Sequence, residues 1–287
     1  MNRPSRGAPA WALAILTASL LPSPGLAHQY WIAPSRYAAV PGGVIELGTA
    51  VGTGFRGTRV RWDPARSVRF VARTSGTLSL ERIATPGETA WARFSPDDSG
   101  GAMIAFESAF RPIELPAGEF DAYLREEGLD EPLRVRRRAR GGDRPGRELY
   151  RRCAKAWIAG SDRALATGRA AARIGLPLEI VPASIPGAGD ALSLRVLANG
   201  APAMKVLVKA WRSPVGHSGR PRDPETRDST GVVWSARTNA NGEVVVPTME
   251  DGEWLVSAVR MEACRDHEIA DWESTWASLT FERRRAR

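Results

Sequence analysis

Short segments in which apolar and polar residues alternate recur along most of the chain and favour a fold built mainly of β-strands. Turn residues such as Gly, Pro, Asn and Asp separate these segments. Alternation with a period of two is typical of strands that bury one face, and this turn spacing is typical of an antiparallel sandwich. Strands are predicted over residues 44–51, 67–71, 78–83, 89–94, 102–107, 190–196, 203–211, 238–247 and 253–259.

Two dipeptides in the second half carry the strongest local turn signals. Asn199-Gly200 and Asp251-Gly252 each lie between alternating segments. Asn-Gly and Asp-Gly favour the two-residue turns that join neighbouring antiparallel strands, so both predict β-hairpins. Residues 176–287 are therefore predicted to form a compact C-terminal β-sandwich domain, in which residues 213–231 are a long loop.

Two segments of the first half have apolar residues near helical spacing. Residues 116–129 include Gly128 near their end, which suits a helix C-terminus, and residues 147–158 carry an apolar stripe that includes Cys153. We predict a helical insertion, about 116–160, within a β-rich N-terminal domain of residues 28–175. Residues 52–57 are rich in glycine but lack the lysine and following helix of a phosphate loop, so they predict a bend.

The N-terminal segment has the order of a secretory signal. Arg3 and Arg6 precede an apolar run over residues 11–21, and Gly25 and Ala27 put small residues at positions −3 and −1 of a cut after Ala27. This predicts that residues 1–27 are removed on export to the periplasm. No other segment approaches the length of a membrane span, so no stable span is expected after processing.

The basic charge of the chain does not by itself indicate a nucleic-acid partner. The formal net charge is +8, and much of it lies in clusters over residues 134–140 and 283–287. Nucleic-acid binding needs such clusters on one face, with aromatic or backbone contacts beside them. Export argues against that partner, and we interpret the clusters as solvated faces.

Two cysteines, Cys153 and Cys264, form an even pair in a chain expected to reach an oxidising compartment. Such a pair predicts a possible disulfide linking the helical insertion to the end of the second domain. Packing of the apolar stripe is the alternative account of Cys153. The pair has no CxxC spacing, so zinc-knuckle and thioredoxin-type sites are not indicated.

The predicted cut makes His28 the first residue of the mature protein, where a metal finds an α-amine and an imidazole on one residue. Nitrogen ligands suit Cu, Ni and Zn. His267, with Asp266 or Glu268, is the candidate to complete the site, whereas His217 lies in the predicted loop. The alternative is that these histidines are incidental. No catalytic motif is present, and we predict that the protein is not an enzyme.

Five segments together resemble exported bacterial proteins of the domain of unknown function 4198 family, which are associated with nickel or cobalt uptake. They are AHQYWIAPSRY (27–37), FDAYLREEGLDE (120–131), GRELYRRCAKAW (146–157), LEIVPA (178–183) and WESTWASLTFE (272–282). The resemblance implies a β-rich N-terminal domain with a helical insertion and a C-terminal sandwich of the carboxypeptidase-regulatory or transthyretin type. It implies no catalytic activity. Arg260 stands where family members often carry a histidine.

Two functions of different classes follow as expectations. The first is a periplasmic accessory protein that binds Ni, Co or Cu and passes it to an inner-membrane transporter. The second is a structural or protein-interaction module with no role in metal binding.

Overall fold

The computed structural model describes residues 29–40, 42–96, 99–139, 141–214 and 231–285, and within them the chain is mainly β. The strands are β1 Gln29–Ile32, β2 Ile45–Leu47, β3 Thr49–Thr53, β4 Arg56–Val60, β5 Ser67–Arg73, β6 Thr77–Ser79, β7 Ala92–Phe94, β8 Ala102–Ser108, β9 Arg111–Leu115, β10 Gly146–Ile158, β11 Leu178–Pro182, β12 Ala191–Ala198, β13 Ala201–Pro202, β14 Leu207–Ser213, β15 Trp234–Arg237, β16 Glu243–Pro247, β17 Gly252–Ala263 and β18 Trp272–Arg283. The helices are α1 Ala117–Glu126, α2 Asp130–Arg138 and α3 Arg163–Ala170.

A nine-stranded central sheet runs through the molecule in the order β15-β14-β17-β18-β10-β8-β5-β6, with β9 also paired to β10. Its middle pair is parallel, from Glu148 opposite Trp272 to Ala156 opposite Thr280. Strand β10 comes from the first half of the chain and β18 from the second. The predicted domain division near residue 175 therefore falls between strands that share one sheet.

Two layers cover the central sheet. The face that carries Glu148, Tyr150 and Arg152, here called the front face, packs against the three-stranded sheet β1-β3-β4, the pair β2-β7 and helices α1 and α2. The back face packs against a four-stranded sheet, in which β12 pairs with β11, β13 and β16, and against α3. No helix among the described residues is both long and apolar enough to cross a membrane.

The prediction of a helix over residues 147–158 is wrong, because this segment is the thirteen-residue strand β10. It pairs with β18 on one side and with β8 and β9 on the other, so it lies inside the sheet. Interior strands can be buried on both faces and then lose a clean alternation of apolar and polar residues. The apolar spacing that imitates a helix arises from this double burial. Helix α1 agrees with prediction, whereas α2 and α3 were not predicted.

The two predicted hairpins have different outcomes. Asn199 and Gly200 both have positive φ, 49° and 81°, and join β12 to β13 in a tight turn as expected. The strand after that turn is only two residues long, and the longer strand β14 begins at Leu207 in the central sheet. The prediction of a hairpin at Asp251-Gly252 is wrong, because the strands on its two sides do not pair with each other. Strand β16 pairs with β12, whereas β17 pairs with β14 and β18. The chain passes between sheets there.

The bend predicted over residues 52–57 is a hairpin turn between β3 and β4. Gly54 and Phe55 occupy its two central positions with φ of 54° and 71°. Positive φ at both positions is typical of the turn that matches the twist of two antiparallel strands. Phe55 adopts this unfavourable conformation while its ring is buried edge-on against Trp31, with ring centroids 6.0 Å apart.

Candidate functional site

Strand β10 places three functional side chains on the front face of the central sheet. They are Glu148, Tyr150 and Arg152, each two residues after the one before. Alternate residues of a strand point to the same face. In register with them on β18 lie Trp272, Ser274 and Trp276. These two strands therefore combine charged, hydroxyl and aromatic groups in one patch of the sheet.

Two neighbouring cavities lie over this patch. The first, about 600 Å³, lies between the β3–β4 hairpin, β9, α1 and the central sheet. The second, about 240 Å³, has the aromatic side chains of Tyr30, Trp91 and Phe106 in its lining. Both cavities are lined by Val51, Tyr150 and Arg152. We call the two cavities together the Arg152 cleft.

The guanidinium of Arg152 lies over two aromatic rings where the cavities meet. Its guanidinium carbon lies 4.4 Å from the ring centroid of Trp276 and 5.1 Å from that of Tyr150. The Trp276 ring in turn stacks on Tyr123 of α1, with ring centroids 5.7 Å apart. Burial lowers the pKa of Arg152, but a guanidinium stays charged in proteins at neutral pH. The cleft therefore holds a positive charge next to aromatic surfaces.

Glu148 is a buried carboxylate in the lining of the first cavity. Its Oε1 accepts hydrogen bonds from the Tyr123 hydroxyl, at 3.3 Å, and from the Ser274 hydroxyl. No described residue donates a hydrogen bond to its Oε2. Burial raises the pKa of Glu148, and the Ser274 hydrogen bond and the charge of Arg152 oppose that rise. One carboxylate oxygen is thus oriented and the other remains available to a ligand.

Strand β1 brings the first described residue to the edge of the first cavity. Gln29 pairs with Gly52, which lines that cavity, and its Oε1 accepts a hydrogen bond from Gly54 N at 3.3 Å. The hydroxyls of Ser278 and Thr280 donate to the carbonyl oxygens of Tyr30 and Ile32 at 2.6 and 2.9 Å. Two side-chain hydrogen bonds, one buried and one partly buried, therefore fix β1 over the central sheet beside the cleft.

Three of the candidate ligands, Asp266, His267 and Glu268, lie in the loop after β17. Asp266 Oδ1 accepts the backbone N–H of Glu268 at 3.1 Å, and the Arg147 guanidinium donates to the carbonyl oxygens of His267 and Glu268. Over the described ranges, no group of three or more His, Cys, Asp and Glu side chains is placed to hold a metal ion. His28 and His217 lie outside the described residues, as does the predicted signal segment.

His267 belongs to a different part of the front face from the Arg152 cleft. It lines a separate cavity of about 560 Å³ together with Arg147, Asp271 and Trp272. Burial favours a higher pKa for Asp271, but hydrogen bonds and the charge of Arg147 outweigh it and lower the pKa. Trp272 of β18 lies beside this loop, and Ser278 of the same strand donates a hydrogen bond to the carbonyl oxygen of Tyr30. The two residues are six positions apart, which corresponds to roughly 20 Å at the rise of a strand.

The structure contradicts the possible disulfide, because Cys153 and Cys264 are both free and buried. Cys153 lies opposite Ala277 of β18, whereas Cys264 follows Ala263, which lies opposite Trp272. Five residues along a strand correspond to roughly 16 Å, and a disulfide needs Cα atoms within about 7 Å. The thiol of Cys264 instead donates to a side-chain oxygen of Glu273 or the carbonyl of Asp266, at 3.4 and 3.3 Å. The even number of cysteines carried no information about their distance.

Glu148, Arg152, Tyr123 and Trp276 were not predicted as site residues. Reading residues 147–158 as a helix separates Glu148 from Arg152 by about one helical turn and leaves Tyr150 on another side. As a strand, the same sequence places Glu148, Tyr150 and Arg152 on one face. Arg147 and Arg151 on the other face are also charged, so no alternation of apolar and polar residues marked this part of the segment as a strand.

The fold and the cleft define a mainly β protein with a polar and aromatic cleft of small-molecule size on one face of its central sheet. A family model described as Domain of unknown function (DUF4198) matches residues 26–262, so the chain belongs to that family. A search of curated proteins found no match to the chain.

Proposed function

We propose that this protein is a periplasmic, non-enzymatic accessory protein that binds Ni, Co or Cu through the mature N-terminus created by a cut after Ala27. The observation that carries the proposal is the position of β1. Gln29 pairs with Gly52 at the edge of a cavity whose lining includes the buried carboxylate Glu148. The predicted N-terminal residue, His28, is attached directly to Gln29.

Strand β1 reaches both cavities of the Arg152 cleft. Gln29 pairs with Gly52 at the first cavity. Tyr30 lines the second cavity, and its ring centroid lies 5.7 Å from that of Phe106. A metal held by the amine and imidazole of the mature N-terminus would then find an oxygen donor in Glu148 Oε2.

This set of donors suits a divalent transition metal. Imidazole and amine nitrogens favour Cu, Ni and Co over hard ions such as Mg and Ca, and copper(II) has the highest affinity in the general order. Tyr123 and Ser274 orient the Glu148 carboxylate through its other oxygen, the arrangement by which outer hydrogen bonds position metal ligands. An inner-membrane metal transporter is the partner that such a protein would serve.

The test compares protein that begins at His28 with protein that carries one additional residue before it. The additional residue converts the α-amine into an amide, which removes one donor without changing any described contact. Calorimetric titration with Ni(II), Co(II) and Cu(II) should give one strong site in the processed form and none in the extended form. Affinity should fall from pH 7.5 to pH 5, because a free α-amine and an imidazole, with ordinary pKa values of about 7.7–8 and 6.5, must be deprotonated to bind a metal.

Two variants of the processed form complete the design. Glu148→Gln keeps the shape and the acceptor for Tyr123 and Ser274 but removes the charge, so it should weaken metal binding. His267→Ala is the control, because His267 lies in another cavity and should leave affinity unchanged. Equal weak binding by the processed and extended forms would end the proposal and favour a protein-interaction module without a metal.

A further inference from the structure

The Arg152 cleft carries an excess of positive charge that a metal-binding role does not explain. Among the described residues, five arginines and two carboxylates line its two cavities. The arginines are Arg56, Arg61, Arg66, Arg111 and Arg152, and the carboxylates are Glu148 and Asp63. Asp63 forms an ion pair with Arg66 at 2.7 Å. A cleft with this charge attracts anions by focusing the field of its arginines.

The planar guanidinium of Arg152 determines which anions fit it best. Its central carbon lies over the rings of Trp276 and Tyr150, 4.4 and 5.1 Å from their centroids. A guanidinium carries its N–H donors in a rigid planar fork. A carboxylate is planar and matches that fork with two parallel hydrogen bonds.

The second cavity supplies an apolar surface next to this charge. The side chains of Tyr30, Trp91 and Phe106 line it, and the ring centroids of Trp91 and Phe106 lie 5.1 Å apart in an edge-to-face arrangement. Its volume of about 240 Å³ adjoins the 600 Å³ of the first cavity at Arg152. Apolar walls with a few converging polar groups are typical of small-molecule sites.

We propose that the Arg152 cleft binds a small aromatic carboxylate, with its carboxylate on the Arg152 guanidinium and its ring against the aromatic wall of the second cavity. This function goes beyond metal binding at the N-terminus and requires no metal. Four observations carry it: the excess of arginines, the Arg152 guanidinium over two aromatic rings, the adjoining aromatic cavity, and the position of Arg152 between the two cavities.

The experiment uses 2-naphthoate as the probe and 2-naphthamide as its neutral, nearly isosteric control. Titrations use full-length mature protein extended by one residue before His28, with EDTA present, so that metal binding does not contribute. Naphthoate should bind at one site and naphthamide roughly tenfold or more weaker, because hydrogen bonds to a charged group contribute most of the difference. Equal binding of the two probes would overturn the proposal.

Variants locate the site. Arg152→Met keeps an unbranched stem beside the two rings and should reduce naphthoate affinity roughly tenfold to a hundredfold. Arg152→Lys keeps the charge but loses the planar fork, and should give an intermediate loss. Arg137→Met, on the exposed surface of α2, is the matched control and should bind as the parent protein does. Circular dichroism and thermal melting establish that each variant is folded.

Each remaining outcome supports or overturns the proposal. Parent-like affinity in folded Arg152→Met, or loss of affinity in Arg137→Met, would overturn it. Inorganic phosphate that binds as tightly as naphthoate would also overturn it, because the aromatic wall would then contribute nothing. If the processed protein fails to bind metal while the extended protein binds naphthoate through Arg152, the carboxylate site stands and the metal proposal fails.

Discussion

Replacing Lys155 with methionine should destabilise the protein strongly, because it breaks a buried ion pair that links two layers. Lys155 of β10 and Glu179 of β11 are 1% and 2% exposed, and Nζ lies 2.8 Å from Oε1. Methionine has a similar length and no charge, so packing is largely kept while Glu179 loses its counter-ion. Only the backbone N–H groups of Ile174, Gly175 and Leu176 then remain to stabilise the carboxylate.

The expected cost is about 3–5 kcal/mol at pH 7, the usual penalty for removing one partner of a buried pair. Total stabilities are about 5–15 kcal/mol, so this is a large fraction of the free energy of unfolding. The three backbone hydrogen bonds place the result toward the lower end, because they continue to stabilise the charged form. A cycle with Glu179→Gln and the double variant gives the coupling energy of the pair.

The cost should shrink on acidification. Burial favours a raised pKa for Glu179, but Lys155 and the backbone donors outweigh it and lower the pKa below its ordinary 4.5. Stability from this carboxylate is therefore present above pH 4.5 and is lost as pH falls through the lowered pKa. Without Lys155 the pKa of Glu179 rises, so acid neutralises the unpaired charge and relieves the variant. The difference in unfolding free energy between the two proteins should thus be smaller at pH 4 than at pH 7.

Urea unfolding followed by tryptophan fluorescence and circular dichroism measures these differences. Arg195→Met is the matched control, because the Arg195–Glu243 pair is 44% and 40% exposed and should contribute at most about 1 kcal/mol. A cost for Lys155→Met below about 1 kcal/mol, or equal to that of the control, would refute the reasoning. So would a cost that grows as the pH is lowered.

Three further experiments, two with substitutions and one on the unchanged protein, test the packing of the fold. Gly146→Ala should cost about 1–3 kcal/mol in urea unfolding, because the new Cβ would lie 2.2 Å from the Phe120 ring; a neutral effect would contradict the packing of α1 on β10. Thiol titration should find both Cys153 and Cys264 free after unfolding. Cys153 should be unreactive in the native protein because burial raises its pKa to about 12, and a disulfide-bonded pair in mass spectrometry would contradict this prediction. Thr280→Val should cost about 1 kcal/mol through the lost hydrogen bond to β1, and an unchanged unfolding midpoint would argue against that anchor.

Local sequence signals predicted the strands of this fold better than their pairing. Asn199-Gly200 forms its turn because both residues adopt positive φ easily, a property of the residues themselves. Asp251-Gly252 has a similar signal, yet the strands before and after it pair with partners distant in sequence. The parallel pairing of β10 with β18 joins segments more than a hundred residues apart, which no local pattern specifies.

The candidate site was missed because residues 147–158 were predicted as a helix. Glu148, Tyr150 and Arg152 lie on one face only if the segment is a strand, so the helical interpretation hid the cleft. The prediction of a disulfide is wrong because composition and cellular compartment carry no information about the distance between the two cysteines. His28 was singled out from its position after a predicted cut, and the structure adds the position of Gln29 at the cleft edge. Whether a metal binds there stays a prediction.

The most direct test of the N-terminal metal site is an anomalous difference map from crystals of processed protein soaked in Ni(II). The account predicts one peak in the first cavity, about 2.0–2.2 Å from Glu148 Oε2 and from the amine and ring nitrogens of His28. A peak at His267 in its separate cavity, or no peak in the Arg152 cleft at full soaking, would contradict the account.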